Sequence, residues 1–151
     1  MKQAMYGWSL VLLVGFWISE YALKQGYTEQ VLWVAWAIIL NIINYAVLKS
    51  MKKTPVDIMS LWMTAGIFGL LVSFGVAGGL LALPFHWLMT LWFALLGATM
   101  FASGFKLNNP SSVMTGIVFV FGALLVPSVG YFAYGAIVFG LFSLVSTYFS
   151  K

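Results

Sequence analysis

Long apolar stretches separated by short polar breaks make up most of this chain. Each stretch is about as long as a membrane-crossing helix, which needs about 20 residues for a hydrocarbon core roughly 30 Å thick. The pattern predicts an all-α, polytopic membrane helix bundle in a single domain, residues 1–151. We expect six spans, at residues 7–23, 29–48, 56–81, 85–105, 111–126 and 128–149.

Residues at the breaks support these boundaries. Thr54-Pro55-Val56-Asp57 fits a helix start, with threonine as the cap, proline first in the helix and an acid beside exposed amides. Pro84 suits the first turn of the fourth span, and Asn109 suits the cap before Pro110.

The division near the carboxyl end rests on length. A single helix over 111–149 would be roughly 58 Å long at about 1.5 Å per residue, well beyond one crossing. Pro127-Ser128 is the natural break, although five spans remain an alternative.

Charge favours six spans with both termini in the cytoplasm. In that layout one lysine, Lys24, lies outside, and the positive-inside rule is satisfied. The lysines that then face the cytoplasm are Lys2, Lys49, Lys52, Lys53, Lys106 and Lys151.

Composition agrees with a membrane protein and excludes several kinds of chemistry. Hydrophobic residues make up 63% of the chain and charged residues 7%, whereas roughly a quarter of a soluble domain is charged. The absence of cysteine excludes disulfides and thiolate ligands. The scattered lysines form no basic stripe, so we expect no nucleic-acid partner.

The first span lacks a small-residue cleavage site and is expected to be retained.

Small residues at helical spacing mark candidate packing surfaces, most clearly in the third span. Such residues let membrane helices approach closely, so we expect the third span to be central. These packing candidates are Ala65, Gly69, Ser73, Gly75, Ala77 and Gly79. No strict internal repeat is evident, and no matching residues support two inverted halves of three spans.

A few polar residues within the apolar stretches are candidates for a substrate or ion pathway. Asn41, Asn44 and Tyr45 recur at helical spacing on one side of the second span, where interhelical bonding is the alternative role. Glu20 is the acid inside a predicted span, and such groups are often functional. A surface pair with Lys24 is its simpler explanation.

Two titratable residues, Glu29 and His86, belong to the predicted outer rim. Glu29 most simply favours the start of the second helix, and His86 is most simply an interfacial, structural histidine. Neither residue belongs to a spacing typical of metal ligands, so we predict no metal site and no cofactor.

Three functions are compatible with this pattern. The first is a small transporter or channel-like protein, passing an ion or small solute near Asn41 and Asn44. The second is a non-transporting subunit or accessory protein packed against a larger membrane complex. The third, a lipid-modifying enzyme using His86 and Glu20, is disfavoured because arginine, the best phosphate binder, is absent. Expected partners are the lipid bilayer and a homo-oligomer or larger complex, in a prokaryotic cell (inner) membrane.

Overall fold

The computed structural model describes residues 2–50, 55–125 and 131–149, which form helices and no strand. The predicted all-α fold is confirmed, and the described residues contain six helices. They are α1 (Lys2–Lys24), α2 (Glu29–Ser50), α3 (Val56–Ala77), α4 (His86–Lys106), α5 (Pro110–Leu125) and α6. The sixth helix, α6, consists of α-helical Tyr131–Gly135, π-helical Ala136–Leu141 and α-helical Phe142–Phe149. The predicted break at Pro127-Ser128 and the predicted Thr54 cap lie outside the described residues.

The six helices form a closed bundle in chain order. Each helix packs on the one before it, and α6 packs on α1. The expectation that the third span is central is wrong. Of the 18 consecutive residues that are most apolar in α4, 56% are buried, whereas in α3 the corresponding share is 22%. The small residues of α3 therefore form one packed strip on a helix whose other sides are exposed.

Three helices end in the same hydrogen-bonded turn, and each needs one residue in the left-handed region. Gly26, Gly79 and Asn108 have φ values of 91°, 74° and 52°. After α3, Leu80 N donates to the Gly75 carbonyl and Gly79 N to that of Val76, which is the Schellman arrangement. Gly79 thus lies beyond the helix, in the turn, and α3 ends at Ala77, before the predicted boundary at residue 81.

An ion pair joins the first turn of α3 to the last turn of α4. Asp57 in the first turn of α3 pairs with Lys106 in the last turn of α4, and both side chains are exposed. An exposed pair of this kind contributes at most about 1 kcal/mol.

The Oδ1 of Asn109 accepts the Ser112 N–H at 3.3 Å, which agrees with its predicted capping role for α5.

The contact between α4 and α5 depends on glycines. A Cβ built on Gly116 would lie 2.5 Å from the Phe101 nitrogen and 2.6 Å from the Gly97 carbonyl oxygen. A Cβ on Gly97 would lie 2.8 Å from the Gly116 carbonyl oxygen. Because these neighbours are backbone atoms, no side-chain rotation can make room for a larger residue.

We expect Gly116→Ala to destabilise the protein by about 3 kcal/mol or more, the upper end of the range for overpacking a tight interior. Gly7→Ala is the matched control, because a Cβ there meets nothing within 4 Å. The control should be neutral or gain up to about 1 kcal/mol of helix propensity. Thermal unfolding of the purified variants, followed by circular dichroism, measures both effects. Equal stability of the two variants would contradict the close backbone contact.

Candidate functional site

Two buried tryptophans join neighbouring helices through the same pair of hydrogen bonds. Trp36 Nε1 in α2 donates to Ser19 Oγ in α1 at 2.8 Å, and the serine donates to the Gly15 carbonyl at 2.9 Å. Trp92 Nε1 in α4 likewise donates to Ser73 Oγ in α3 at 2.9 Å, and that serine donates to its own helix. We call these arrangements the first lock (Gly15, Ser19, Trp36) and the second lock (Gly69, Ser73, Trp92).

Each tryptophan ring lies directly over the glycine of its lock. A Cβ on Gly15 would be 2.6 Å from the Trp36 ring, and one on Gly69 would be 2.7 Å from the Trp92 ring. Glycine provides the space for the ring, and the serine one turn later accepts the indole N–H. The Gly-x3-Ser spacing puts both groups on one helix face, so a single indole contacts both.

The interior beside the two locks is filled by aromatic rings. Phe16 stacks on Trp36, with ring centroids 4.5 Å apart, and lies against Phe93. Phe93 stacks on Phe139 of α6, and Phe119 of α5 meets that ring edge-on. Except for Trp36, which is 4% exposed, these rings are at most 1% exposed. Packed aromatic side chains therefore fill the middle of the described bundle.

Several other interior hydroxyl groups form hydrogen bonds within the bundle. Ser9 and Ser143 join α1 to α6 through a 2.8 Å hydrogen bond between their hydroxyls. Trp62 Nε1 donates to Ser103 Oγ at 3.0 Å, which adds a further link between α3 and α4. Thr99 bonds back to the Leu95 carbonyl of its own helix. The bonds of Ser9 and Ser103 join neighbouring helices, whereas that of Thr99 stays within its own helix.

In the described part of the chain, two enclosed polar atoms have no hydrogen-bond partner, Trp33 Nε1 and Thr90 Oγ1. Trp33 is 1% exposed, and its ring stacks on Phe132 of α6 with centroids 5.6 Å apart. A buried donor without an acceptor costs about 1–3 kcal/mol. Trp33 therefore differs from Trp36 and Trp92, whose donors are both satisfied.

Of the predicted pathway residues in α2, the structure describes the side chains of Asn41 and Tyr45. Asn41 is half-buried, and its amide donates to the Ala37 carbonyl one turn earlier at 2.9 Å. Tyr45 is 68% exposed and so points away from the bundle. Asn44 belongs to α2, but its side chain lies outside the described residues.

The predicted rim residues lie toward the same end of the bundle, because the α1–α2 and α3–α4 turns are adjacent there. A hydrogen bond from the Gln30 side chain to the Ala77 carbonyl connects those turns. Glu20, Glu29 and His86 are each half-buried, and His86 lies beside the ring of Trp87. No group of three potential metal ligands occurs among the residues that the structure describes.

The packing candidates of α3 divide into two groups. Gly69, Ser73 and Gly75 are buried, whereas Ala65 and Ala77 are half-buried. Sequence reasoning identified Gly69 and Ser73 as a surface for a helix backbone, but a tryptophan side chain occupies it. It missed the first lock altogether. The available signal was a second Gly-x3-Ser pair, Gly15 and Ser19, in another apolar stretch with a deep tryptophan in the next helix.

We expect the three interior tryptophans to respond differently to replacement by phenylalanine. Trp36→Phe and Trp92→Phe should each cost about 2–3 kcal/mol, combining a lost hydrogen bond with a cavity. Trp33→Phe creates a similar cavity but removes an unsatisfied donor, so it should cost about 1 kcal/mol less. Denaturant titration of the purified variants measures these differences. An equal loss at all three positions would show that the locks contribute no special stability.

Comparison with known proteins identifies no relative of this chain. The chain matches no protein-family model, and neither a curated protein nor a solved structure shows significant similarity to it. Its fold and function are therefore inferred from its own residues and their contacts.

Proposed function

We propose that this is an integral membrane protein in which all six helices cross the bilayer and both chain ends face the cytoplasm. The supporting observation is an apolar exterior on every helix. A soluble protein rarely exposes apolar patches larger than a few hundred Å², whereas here exposed large apolar residues encircle the bundle. One exposed residue from each helix illustrates this distribution: Ile18, Ile42, Leu71, Phe101, Phe121 and Ile137.

The third helix provides the clearest case for lipid as the surrounding solvent. Both α3 and α4 are long and apolar enough to cross a membrane. The core helix of a soluble protein passes the same test, but such a helix is mostly buried by its own fold. Only 22% of the most apolar 18-residue segment of α3 is buried. The exposed residues of this helix include Ile67, Phe68, Leu71 and Phe74. A hydrocarbon environment accounts for this exposed surface. Location in a prokaryotic cell membrane belongs to the same proposal.

Cysteine labelling can test the topology directly because the chain has no native cysteine. Gln25→Cys and Ala82→Cys lie in exposed turns at the proposed outer side, and Lys49→Cys and Leu107→Cys lie at the inner side. A membrane-impermeant maleimide should label the first two in intact cells and the second two only after permeabilisation. Ile67→Cys, proposed to face lipid, is the control and should stay unlabelled until detergent is added.

The topology would be wrong if both Gln25→Cys and Lys49→Cys reacted in intact cells. Recovery of the native chain as a dispersed monomer in detergent-free buffer would remove the membrane assignment itself.

Within the membrane, we propose that the protein is a non-transporting subunit or accessory component of a larger membrane assembly. The observation that carries this proposal is the closed aromatic interior around Phe93, Phe119 and Phe139. Asn41 is bonded to its own helix, and Tyr45 points outward, so neither supports a solute route through the described interior. The two locks hold helices in fixed positions, as a structural component requires.

One observation favours transport as a second candidate. The N–H of Trp33 is buried without a partner, and an acceptor atom of a bound solute would satisfy it. If the protein transports a solute, Trp33 is the interior residue whose replacement should change affinity. The third candidate is a lipid-modifying enzyme that uses His86. Among the described residues, no cluster of reactive side chains around His86 supports this candidate.

Flux measurements in reconstituted liposomes distinguish the two leading functions. With protons, potassium and glycerol as probes, an accessory component should give rates no higher than protein-free liposomes. It should also be recovered with a second membrane protein at one fixed ratio in two different detergents. A probe flux that Trp33→Phe abolishes, while Gly7→Ala leaves it intact, would overturn the accessory proposal and support transport.

A further inference from the structure

We infer that residues 2–106 contain two tandem copies of one helical-hairpin unit. The first unit consists of α1 and α2, and the second unit consists of α3 and α4. Each unit is closed by one lock, in which a tryptophan of the second helix lies over a glycine of the first and bonds a serine one turn further on. This inference does not depend on the function proposed above.

The first helices of the two units match in sequence as well as in contacts. The pattern Met-x2-Trp-x6-Gly-x3-Ser occurs in both helices with no change of spacing. Its residues are Met5, Trp8, Gly15 and Ser19 in α1, and Met59, Trp62, Gly69 and Ser73 in α3. The pattern contains the glycine and the serine of each lock, so the resemblance includes the residues that make the equivalent contacts.

The second helices match around the lock tryptophan. The pattern Leu-x3-Trp-x3-Leu-x5-Ala occurs in both, as Leu32, Trp36, Leu40 and Ala46 in α2 and as Leu88, Trp92, Leu96 and Ala102 in α4. Leu40 and Leu96 are each 2% exposed. The separation between the two patterns is 15 residues from Ser73 to Leu88 and 13 from Ser19 to Leu32. The turn of the second unit, residues 78–85, is four residues longer than residues 25–28, and the helix ends on its two sides are each one residue shorter. The two patterns themselves keep the same spacing within their helices.

The first helix of each unit ends in a Schellman turn, as α4 also does, and the left-handed glycine lies seven residues after Ser19 but six after Ser73. Gly26 after α1 and Gly79 after α3 both have positive φ values. In each turn the residue after that glycine donates back to a carbonyl in the last part of the helix, Tyr27 to Ala22 and Leu80 to Gly75. The turn is therefore not specific to the repeat, and the inference rests on the agreement in the lock and in both helix patterns.

The hairpin of α5 and α6 departs from this unit. It is linked by a hydrogen bond from the Tyr134 hydroxyl to the Gly122 carbonyl, at 3.0 Å, and α6 contains the π-helical segment. Its position is also different, because α6 packs on α1 and closes the bundle. A Cβ on Gly140 would lie 2.5 Å from the Leu13 Cα, so this closure depends on a close backbone approach.

The repeat fixes the relative orientation of the two units. Because each unit contains an even number of helices, both begin at the same end of the bundle, so the copies are parallel. This arrangement corresponds to repeats related by an axis along the membrane normal. It replaces the plan of two inverted halves with three helices each, for which the sequence offered no matching residues.

The repeat also separates residues that the fold requires from residues that one copy has added. Glu20 and Asn44 correspond to Phe74 and Met100 in the second unit, and Asn41 corresponds to Gly97. The hairpin unit therefore does not require these polar side chains in order to fold. A polar interaction specific to this protein would use the first unit.

Double-mutant cycles in the full-length protein test the equivalence of the locks. Trp36→Phe and Ser19→Ala should each lower Tm, and the double variant should fall by clearly less than the sum, since both changes remove one interaction. Trp92→Phe and Ser73→Ala should show the same non-additivity, within about a factor of two. Combining Trp36→Phe with Ser73→Ala, one residue from each lock, is the control and should be additive.

Non-additivity in only one lock, or coupling in the control pair, would overturn the inference. If a lock variant fails to fold, an experimental structure of the native chain still decides. Superposing Met5–Ser19 on Met59–Ser73 should also bring Trp36 onto Trp92, and a failure to do so would reject the repeat.

Substitutions toward the residues of the second unit provide a separate test. Asn44→Met and Glu20→Phe should keep Tm within about 3 °C of the native value, because the other copy folds with those residues. Ser19→Phe, one position from Glu20, is the matched control and should lower Tm strongly by removing the lock acceptor. Loss of folding in both Asn44→Met and Glu20→Phe would contradict the proposed correspondence.

Discussion

The bundle depends on an indole ring lying over a glycine while its N–H is accepted by the serine one turn further on. In a bilayer, apolar surface is already satisfied by lipid, so close packing and interhelical hydrogen bonds stabilise helix contacts. The Trp36–Ser19 and Trp92–Ser73 contacts supply both kinds of interaction at once. Any larger residue than glycine would displace the ring, and loss of the serine hydroxyl would leave a buried donor without a partner.

The serine of each lock both accepts and donates. Ser19 accepts from Trp36 and donates to the Gly15 carbonyl, so its hydroxyl is used within the bundle. The same holds for Ser73. Polar side chains thus serve to position helices, and apolar rings fill the space between them. A protein built this way is suited to holding a fixed shape, and this supports the accessory role proposed above.

The helix contacts around the closed bundle are not equivalent. Gly97 and Gly116 bring the backbones of α4 and α5 into direct contact, whereas α2 has Asn41 at the position corresponding to Gly97. Closure between α6 and α1 combines the Gly140 approach with the Ser9–Ser143 bond. Two similar hairpin units are therefore joined by a third, different hairpin, and the polar additions of the first unit lie where the second unit has glycine or apolar residues.

The sequence by itself determined the helical class, the positions of most helix boundaries and the apolar exterior, because each depends on local periodicity, capping residues and composition. It could not determine that α4 lies innermost or that Tyr45 points outward, since a helix that is apolar on all sides does not reveal which side its neighbours cover. The partner of Gly69 and Ser73 was likewise decided by tertiary structure. Small residues at helical spacing accept either a backbone or a ring, and only the position of Trp92 in the folded chain distinguishes the two.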